Sequence, residues 1–134
     1  MTGKLKTYIT FILLLLFFIN IHAQKLNVES FFAKTNDITA RTKPRQDKNL
    51  NDCALVKVQL AASNAVFEGN IIGDVAYNTS EYLVYMAQGS KRLTAKLEGY
   101  LPLVVNFEDY GLKTLEGKTV YVLTIAGVSN TQNL

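Results

Sequence analysis

Apolar residues in this chain recur at alternate positions in short runs, and the runs change about every 8 to 12 residues at turn-forming clusters, the rhythm of a small all-β domain. After Ala23 no stretch offers the sustained three-and-four spacing of a long amphipathic helix. The clearest strand is expected over 54–60, where Ala54, Val56, Val58 and Leu60 share one face while Lys57 and Gln59 point away. Residues 91–97 alternate as well, with Leu93, Ala95 and Leu97 inward and Arg92, Thr94 and Lys96 outward. The run EYLVYM at 81–86 is apolar on both faces, which suits a central strand covered on both sides. Short strands are expected at 65–67 and 71–77, separated by Glu68-Gly69-Asn70. A longer one is expected over 100–107, with Leu101, Leu103, Val105 and Phe107 on one face, and the last over 119–125. Pro102 lacks an amide donor and therefore belongs at a strand start or on an edge.

Other segments read less directly. Leu26, Val28 and Phe32 fit a strand face, whereas Val28, Phe31 and Phe32 also fit one helical turn; the strand is preferred. Residues 36–52 (NDITARTKPRQDKNLND) hold too few apolar groups to offset ordering entropy, so a long surface loop is expected there. The polar end, 127–134, is expected to be a flexible tail. About seven strands in some 100 residues predict a small two-sheet sandwich, of immunoglobulin-like or transthyretin-like size, after an N-terminal signal helix. The expected organisation is a signal peptide over 1–23, an N-terminal strand or arm over 24–35, a polar loop over 36–52 and a sandwich core over 53–126.

The first 23 residues carry their own pattern. Two lysines and no acid precede an apolar run at 9–21 (ITFILLLLFFINI), and His22-Ala23 follows. A basic start, a short apolar run and a small residue at the break are the parts of a secretory signal peptide. The run is short against the roughly 20 apolar residues that a membrane span takes, so cleavage after Ala23 is favoured over an uncleaved anchor. No cysteine stands at the break to accept a lipid, and a periplasmic or secreted protein without a membrane span is expected after cleavage.

Charge and composition change meaning once that leader is set aside. Lys4 and Lys6 supply two of the three net positive charges, so the basicity belongs mainly to targeting and does not argue for nucleic acid. The one histidine, His22, lies in the leader too. Without histidine, a Ser-His-Asp or Cys-His arrangement cannot be assembled, and Cys53 alone cannot make a zinc site. Cys53 opens an apolar run and is expected to be a buried thiol rather than a bridge to another chain.

What chemistry is left is sparse. Paired carboxylates are the remaining enzymatic route, but Glu108 and Asp109 as extended neighbours point apart; Asp74 and Glu81 could approach across a hairpin, though no spacing argument favours it, and with Glu108 they are the residues a hydrolase would use. Residues 47–52 begin like a calcium loop, yet Asp52 stands where the glycine belongs and Val58 where the bidentate acid belongs, so a plain Asp/Asn turn is expected. Asn78-Thr79-Ser80 is likewise read as a turn. Tyr77, Tyr82, Tyr85, Tyr100, Tyr110 and Tyr121 are many for so small a domain. Tyr82 and Tyr85 fall on opposite faces of one strand, which makes them, with Tyr110, the candidate binding surface for a sugar ring or partner chain. No catalytic residue, cofactor or metal site is expected.

The segment MAQGSKRLTAKLEGYLPLVVNF, residues 86–107, resembles the second half of a PEGA-type domain. The matching positions are Gly89, Leu93, Gly99, Tyr100 and Pro102, followed by Gly117 and the strand VYVLTI. Upstream, 28–58 resembles a lead-in found in exported proteins of some Gram-negative bacteria; Asn51 stands where that group commonly has glycine. The resemblance implies a small β-sandwich without catalytic residues, with Gly99, Tyr100 and Pro102 forming a structural corner. The expected function is a non-catalytic cell-envelope module that binds a protein partner or a glycan. An assembly or adhesion subunit using 26–52 as a strand-donating arm is the alternative, and a carbohydrate hydrolase ranks last.

Overall fold

A computed structural model describes residues 2–18 and 24–128. Its first element, helix α1 (Thr2–Phe18), carries the apolar run as far as Phe18, and its described side chains, including Ile9, Phe11 and Ile12, are exposed instead of joining the core. Among the described residues no helix is long and apolar enough to cross a membrane.

The remainder is mostly strand, in two sheets. The larger has six strands in the order β4-β5-β2-β9-β1-β7. These are β1 (Gln24–Ala33), β2 (Ala54–Gln59), β4 (Ala76–Asn78), β5 (Glu81–Met86), β7 (Tyr100–Leu101) and β9 (Val120–Val128). The smaller sheet is antiparallel throughout, in the order β3-β6-β8, from β3 (Val66–Glu68), β6 (Arg92–Lys96) and β8 (Leu103–Asn106). In the larger sheet β9 runs antiparallel to β1 and parallel to β2. One core lies between the sheets: Phe31, Val56, Val58, Val84 and Leu123 from the larger meet Phe67, Leu93, Ala95 and Val105 from the smaller. Two layers of half-buried sheet closing on one apolar interior are consistent with a small β-sandwich.

The alternation in 54–60 and 91–97 places its apolar residues as expected, with Val56, Val58, Leu93 and Ala95 fully or nearly fully buried. β5 is likewise covered on both faces. Tyr82, Val84 and Met86 face the main core, while Tyr85 joins Leu55, Val120, Ala40 and Cys53 in a second cluster on the outer face. That second cluster was not legible from β2 alone. Leu55 is buried because the 36–52 loop, with its short helix α2 (Thr39–Thr42), folds over it.

Several expectations are corrected. β1 is a strand, but Phe31 faces the core and Phe32 is 48% exposed, the reverse of the expected face. A β-bulge between Val28 and Ser30 inserts one residue and reverses the phase, so Val28 and Phe31 both turn inward. The strand expected over 71–77 shrinks to β4 plus a single bridge between Ile71 and Met86. The strand expected over 100–107 is broken at Pro102: β7 pairs with β1 in the larger sheet and β8 pairs with β6 in the smaller. Leu101 is consequently exposed, and Phe107 enters the core from a one-turn 3-10 helix, Phe107–Tyr110. β9 runs on to Val128, past the expected start of the tail at 127; the tail beyond it lies outside the described residues, as does the expected cleavage point at Ala23.

Candidate functional site

The proposed aromatic surface is not assembled. Tyr82 is 3% exposed and Tyr85 7% exposed. The Tyr82 hydroxyl donates to the Ala62 carbonyl and accepts from the Ala65 amide at 3.1 Å, while its ring packs 5.0 Å from Phe67. The Tyr85 hydroxyl donates to the Lys43 carbonyl at 2.7 Å, and the Arg45 guanidinium lies 4.3 Å from its ring centre. Each therefore fastens a loop to its own face of β5. Strand alternation correctly separates the two side chains but says nothing about what covers each face. Tyr110 is partly exposed and stands edge-on to Phe31, with ring centres 6.0 Å apart.

The corner residues occupy the crossing between sheets. Gly99 adopts φ +84°, a left-handed conformation that disfavours a side chain. The Tyr100 amide donates to the Leu97 carbonyl at 3.0 Å, and the Tyr100 side chain lies over Gly127 of β9. Pro102 is exposed at the break between β7 and β8. A residue without an amide hydrogen suits this point, because its backbone belongs to neither ladder.

The other sequence candidates fall apart from one another. Asp74 and Glu108 are exposed, Glu81 is half-buried on β5, and Glu108 and Asp109 sit in the 3-10 helix instead of an extended segment. The Asp47 carboxylate accepts from the amides of Asn49 at 2.8 Å and Asn51 at 3.0 Å, and Leu50 takes φ +62°, the geometry of an Asp/Asn turn. Thr79 and Ser80 take positive φ as the tight turn joining β4 to β5. Cys53 is buried, and burial, reinforced by the nearby Asp47 carboxylate, pushes its thiol pKa up.

A cleft of about 1020 Å³ opens at one end of the smaller sheet. It is lined by Gly69 and Asn70 after β3, Gly89 and Lys91 before β6, Arg92 at its start, Asn106 at the end of β8, and Glu108, Lys113 and Thr114 beyond. Arg92 and Asn106 are register partners on neighbouring strands, so sheet geometry sets two of these side chains beside one another. The floor is braced from below. Lys91 accepts the Phe107 amide at 2.9 Å, Gly89 donates to Leu115 at 2.8 Å, and Leu115 donates to Ser90 at 3.0 Å. Ser90 is itself 1% exposed, its hydroxyl donating to the Ala87 carbonyl at 2.5 Å. Buried Phe107 and Leu115 thus hold the loops that carry the lining residues.

Electrostatically the cleft is positive. Lys91, Arg92 and Lys113 face one carboxylate, Glu108, and none of the ion pairs among the described residues uses any of the three cations. Asn70, Asn106 and Thr114 add amide and hydroxyl groups that both donate and accept. Of the sequence candidates only Glu108 belongs to this lining. The clustering brings together residues as far apart in the chain as 69 and 114, which no local run of residues records. Comparison of the chain with known protein families, with characterised proteins and with solved structures returns no match.

Proposed function

We propose that the chain is an exported, non-catalytic binding module of a bacterial cell envelope, periplasmic or secreted, which engages a glycan or a protein partner through the cleft at the end of the smaller sheet. The observation that carries this reading is the cleft itself: exposed polar side chains on loops held by a buried floor. Loops at one end of a two-sheet core are a common way to present a binding surface, and here buried Phe107 and Leu115 hold them in place. The lining holds one carboxylate, whereas glycoside hydrolysis uses two, which favours binding over turnover. Export rests on the leader pattern of 1–23 and on α1 contributing no described side chain to the core. The transthyretin-like or immunoglobulin-like assignment and the PEGA-type kinship belong to the same proposal. The Gly99-Tyr100-Pro102 corner, where the chain passes between sheets, supports them.

The alternative, a strand-donating arm, is weakened by β1. Residues 25–33 pair with β9 over eight register positions, so this segment is already spent within its own sheet.

The test is site-directed photo-cross-linking of the full chain expressed in a Gram-negative host. A photoreactive group at Thr114, on the cleft, is compared with one at Gln59, exposed on the outer face of the larger sheet. A product specific to Thr114, together with an N-terminus at Gln24 in the recovered protein, is the expected result. Equal labelling at both positions, or hydrolytic turnover of envelope glycans by the purified protein, refutes the reading.

A further inference from the structure

We infer that the cleft takes an acidic saccharide, a hydroxyl-rich chain bearing carboxylate or phosphate groups; this deepens the binding-module reading and rests on it. The lining residues decide the class. Among the described residues Lys91, Arg92 and Lys113 line the cleft with Glu108 as the one opposing charge, a balance of two positive charges. An arginine fork matches the two oxygens of a carboxylate or phosphate, and the lysines add mobile point charges. Asn70, Asn106 and Thr114 offer paired donors and acceptors of the kind that sugar hydroxyls satisfy.

The same lining argues against the competing ligands. It includes no aromatic residue, so a neutral sugar would find no ring to stack on and the bases of a nucleic acid no platform. Its apolar surface comes from the stems of lysine, arginine and threonine and from backbone carbons, and among the described residues no aliphatic or aromatic residue lines it, whereas protein partners anchor through buried groups of those kinds. Its charged and polar groups are what distinguish it, and they favour a polar chain held by charge.

Two glycines shape the lining. At Gly69, φ +148°, a Cβ would stand 3.3 Å from both the Arg92 carbonyl and the Met86 methyl, so the missing side chain lets this loop pack against the start of β6, which carries Arg92. At Gly89, φ +86°, a Cβ would meet nothing within 4 Å, so no neighbouring group covers the backbone on that side.

The experiment follows amide resonances of the full-length chain's exported product, recovered from the envelope fraction of a host bacterium. The probes are oligogalacturonate, its methyl ester (the same backbone with the charge removed), a phosphomannan oligomer and a short RNA. Oligogalacturonate or phosphomannan is expected to shift resonances confined to 69–70, 89–92 and 106–114, and which of the two binds tighter identifies the anion. The methyl ester is expected to bind at least about tenfold more weakly, and added salt to weaken the acidic chains, as for exposed charge pairs. The double variant Lys91→Glu, Lys113→Glu is expected to lose about tenfold or more in affinity, and because both residues are exposed its spectrum elsewhere should be unchanged. A methyl ester that binds as tightly as the acid, or an RNA that binds tighter than either saccharide, overturns the acidic-saccharide class while leaving the cleft a binding site. Shifts that map away from the cleft overturn both. No response to any probe overturns the saccharide class alone, since the Thr114 cross-link reports on cleft binding independently.

Discussion

Replacing Asp37 by asparagine removes one charge from the strap that ties the 36–52 loop to the larger sheet, and it does so nearly isosterically. The Asp37 carboxylate accepts from Lys57 Nζ at 2.7 Å, from the Thr39 hydroxyl at 2.6 Å and from the Thr39 amide at 3.0 Å. Burial by itself would raise its pKa. The hydrogen bonds from Lys57 and Thr39, with the Lys57 charge, more than offset that and hold it at about 2 against an ordinary 3.8. At about 1.36 kcal/mol per tenfold, that difference corresponds to at most about 2.5 kcal/mol of stability at neutral pH. The two side chains are 18% and 13% exposed, so solvent screening brings the expected figure down to about 1–2 kcal/mol. Because the folded pKa is depressed, the contribution is complete above 3.8 and is lost as pH falls towards about 2.

Asparagine keeps an acceptor for Thr39 and does not titrate. Urea unfolding of the parent and Asp37→Asn should therefore differ by about 1–2 kcal/mol at about pH 7 and converge near pH 2, all other carboxylates cancelling between the two. Lys57→Met should show the same convergence. A difference that is equal at both pH values, or absent at neutral pH, would refute the reasoning.

Three further outcomes are expected. A Cβ at Gly117 would overlap the Asp52 carbonyl and stand 2.9 Å from Gln88 Oε1, whereas the nearest atoms to one at Gly127 belong to the far end of the Tyr100 side chain, at 3.0 Å and beyond. Gly117→Ala should accordingly lose about 2–4 kcal/mol by urea titration and Gly127→Ala less than about 1 kcal/mol. Tyr82→Phe orphans the Ala65 amide and the Ala62 carbonyl, and its urea midpoint should fall by the equivalent of about 1–3 kcal/mol. Cys53, at 1% exposure and with its thiol pKa raised by burial, should resist an aromatic disulfide reagent in the folded protein and react fully in denaturant; rapid labelling without denaturant would contradict its placement.

Legibility in the sequence followed the physics of each segment. Where one face of a strand is buried and the other is wet, the residues themselves record it, as in Val56-Lys57-Val58 and Leu93-Thr94-Ala95. Where a strand departs from regular pairing, the record blurs. The bulge at Glu29 made β1 resemble both a strand and a helical turn, and Pro102 marked an edge without revealing that the chain changes sheets there. The tyrosines misled for a related reason. Alternation assigns Tyr82 and Tyr85 to opposite faces, but whether a face is wet depends on a loop that arrives from elsewhere, here 36–52 over Tyr85 and 62–65 over the Tyr82 hydroxyl. The cleft was the least legible feature, since its lining comes from four separate stretches of chain, loops and strand ends, of no distinctive composition.

By itself the sequence determined the β character of the chain, the inward residues of its regular strands, the burial of Cys53 and the turns at 47–52 and 78–80, because these depend on neighbours within a few residues. Only the tertiary structure decided the sheet order, the second apolar cluster beneath α2, and the meeting of Lys91, Arg92 and Lys113 at one end of the smaller sheet. Such features depend on which distant segments are brought side by side. That choice is made by the burial of a shared core, and no local run of residues records it.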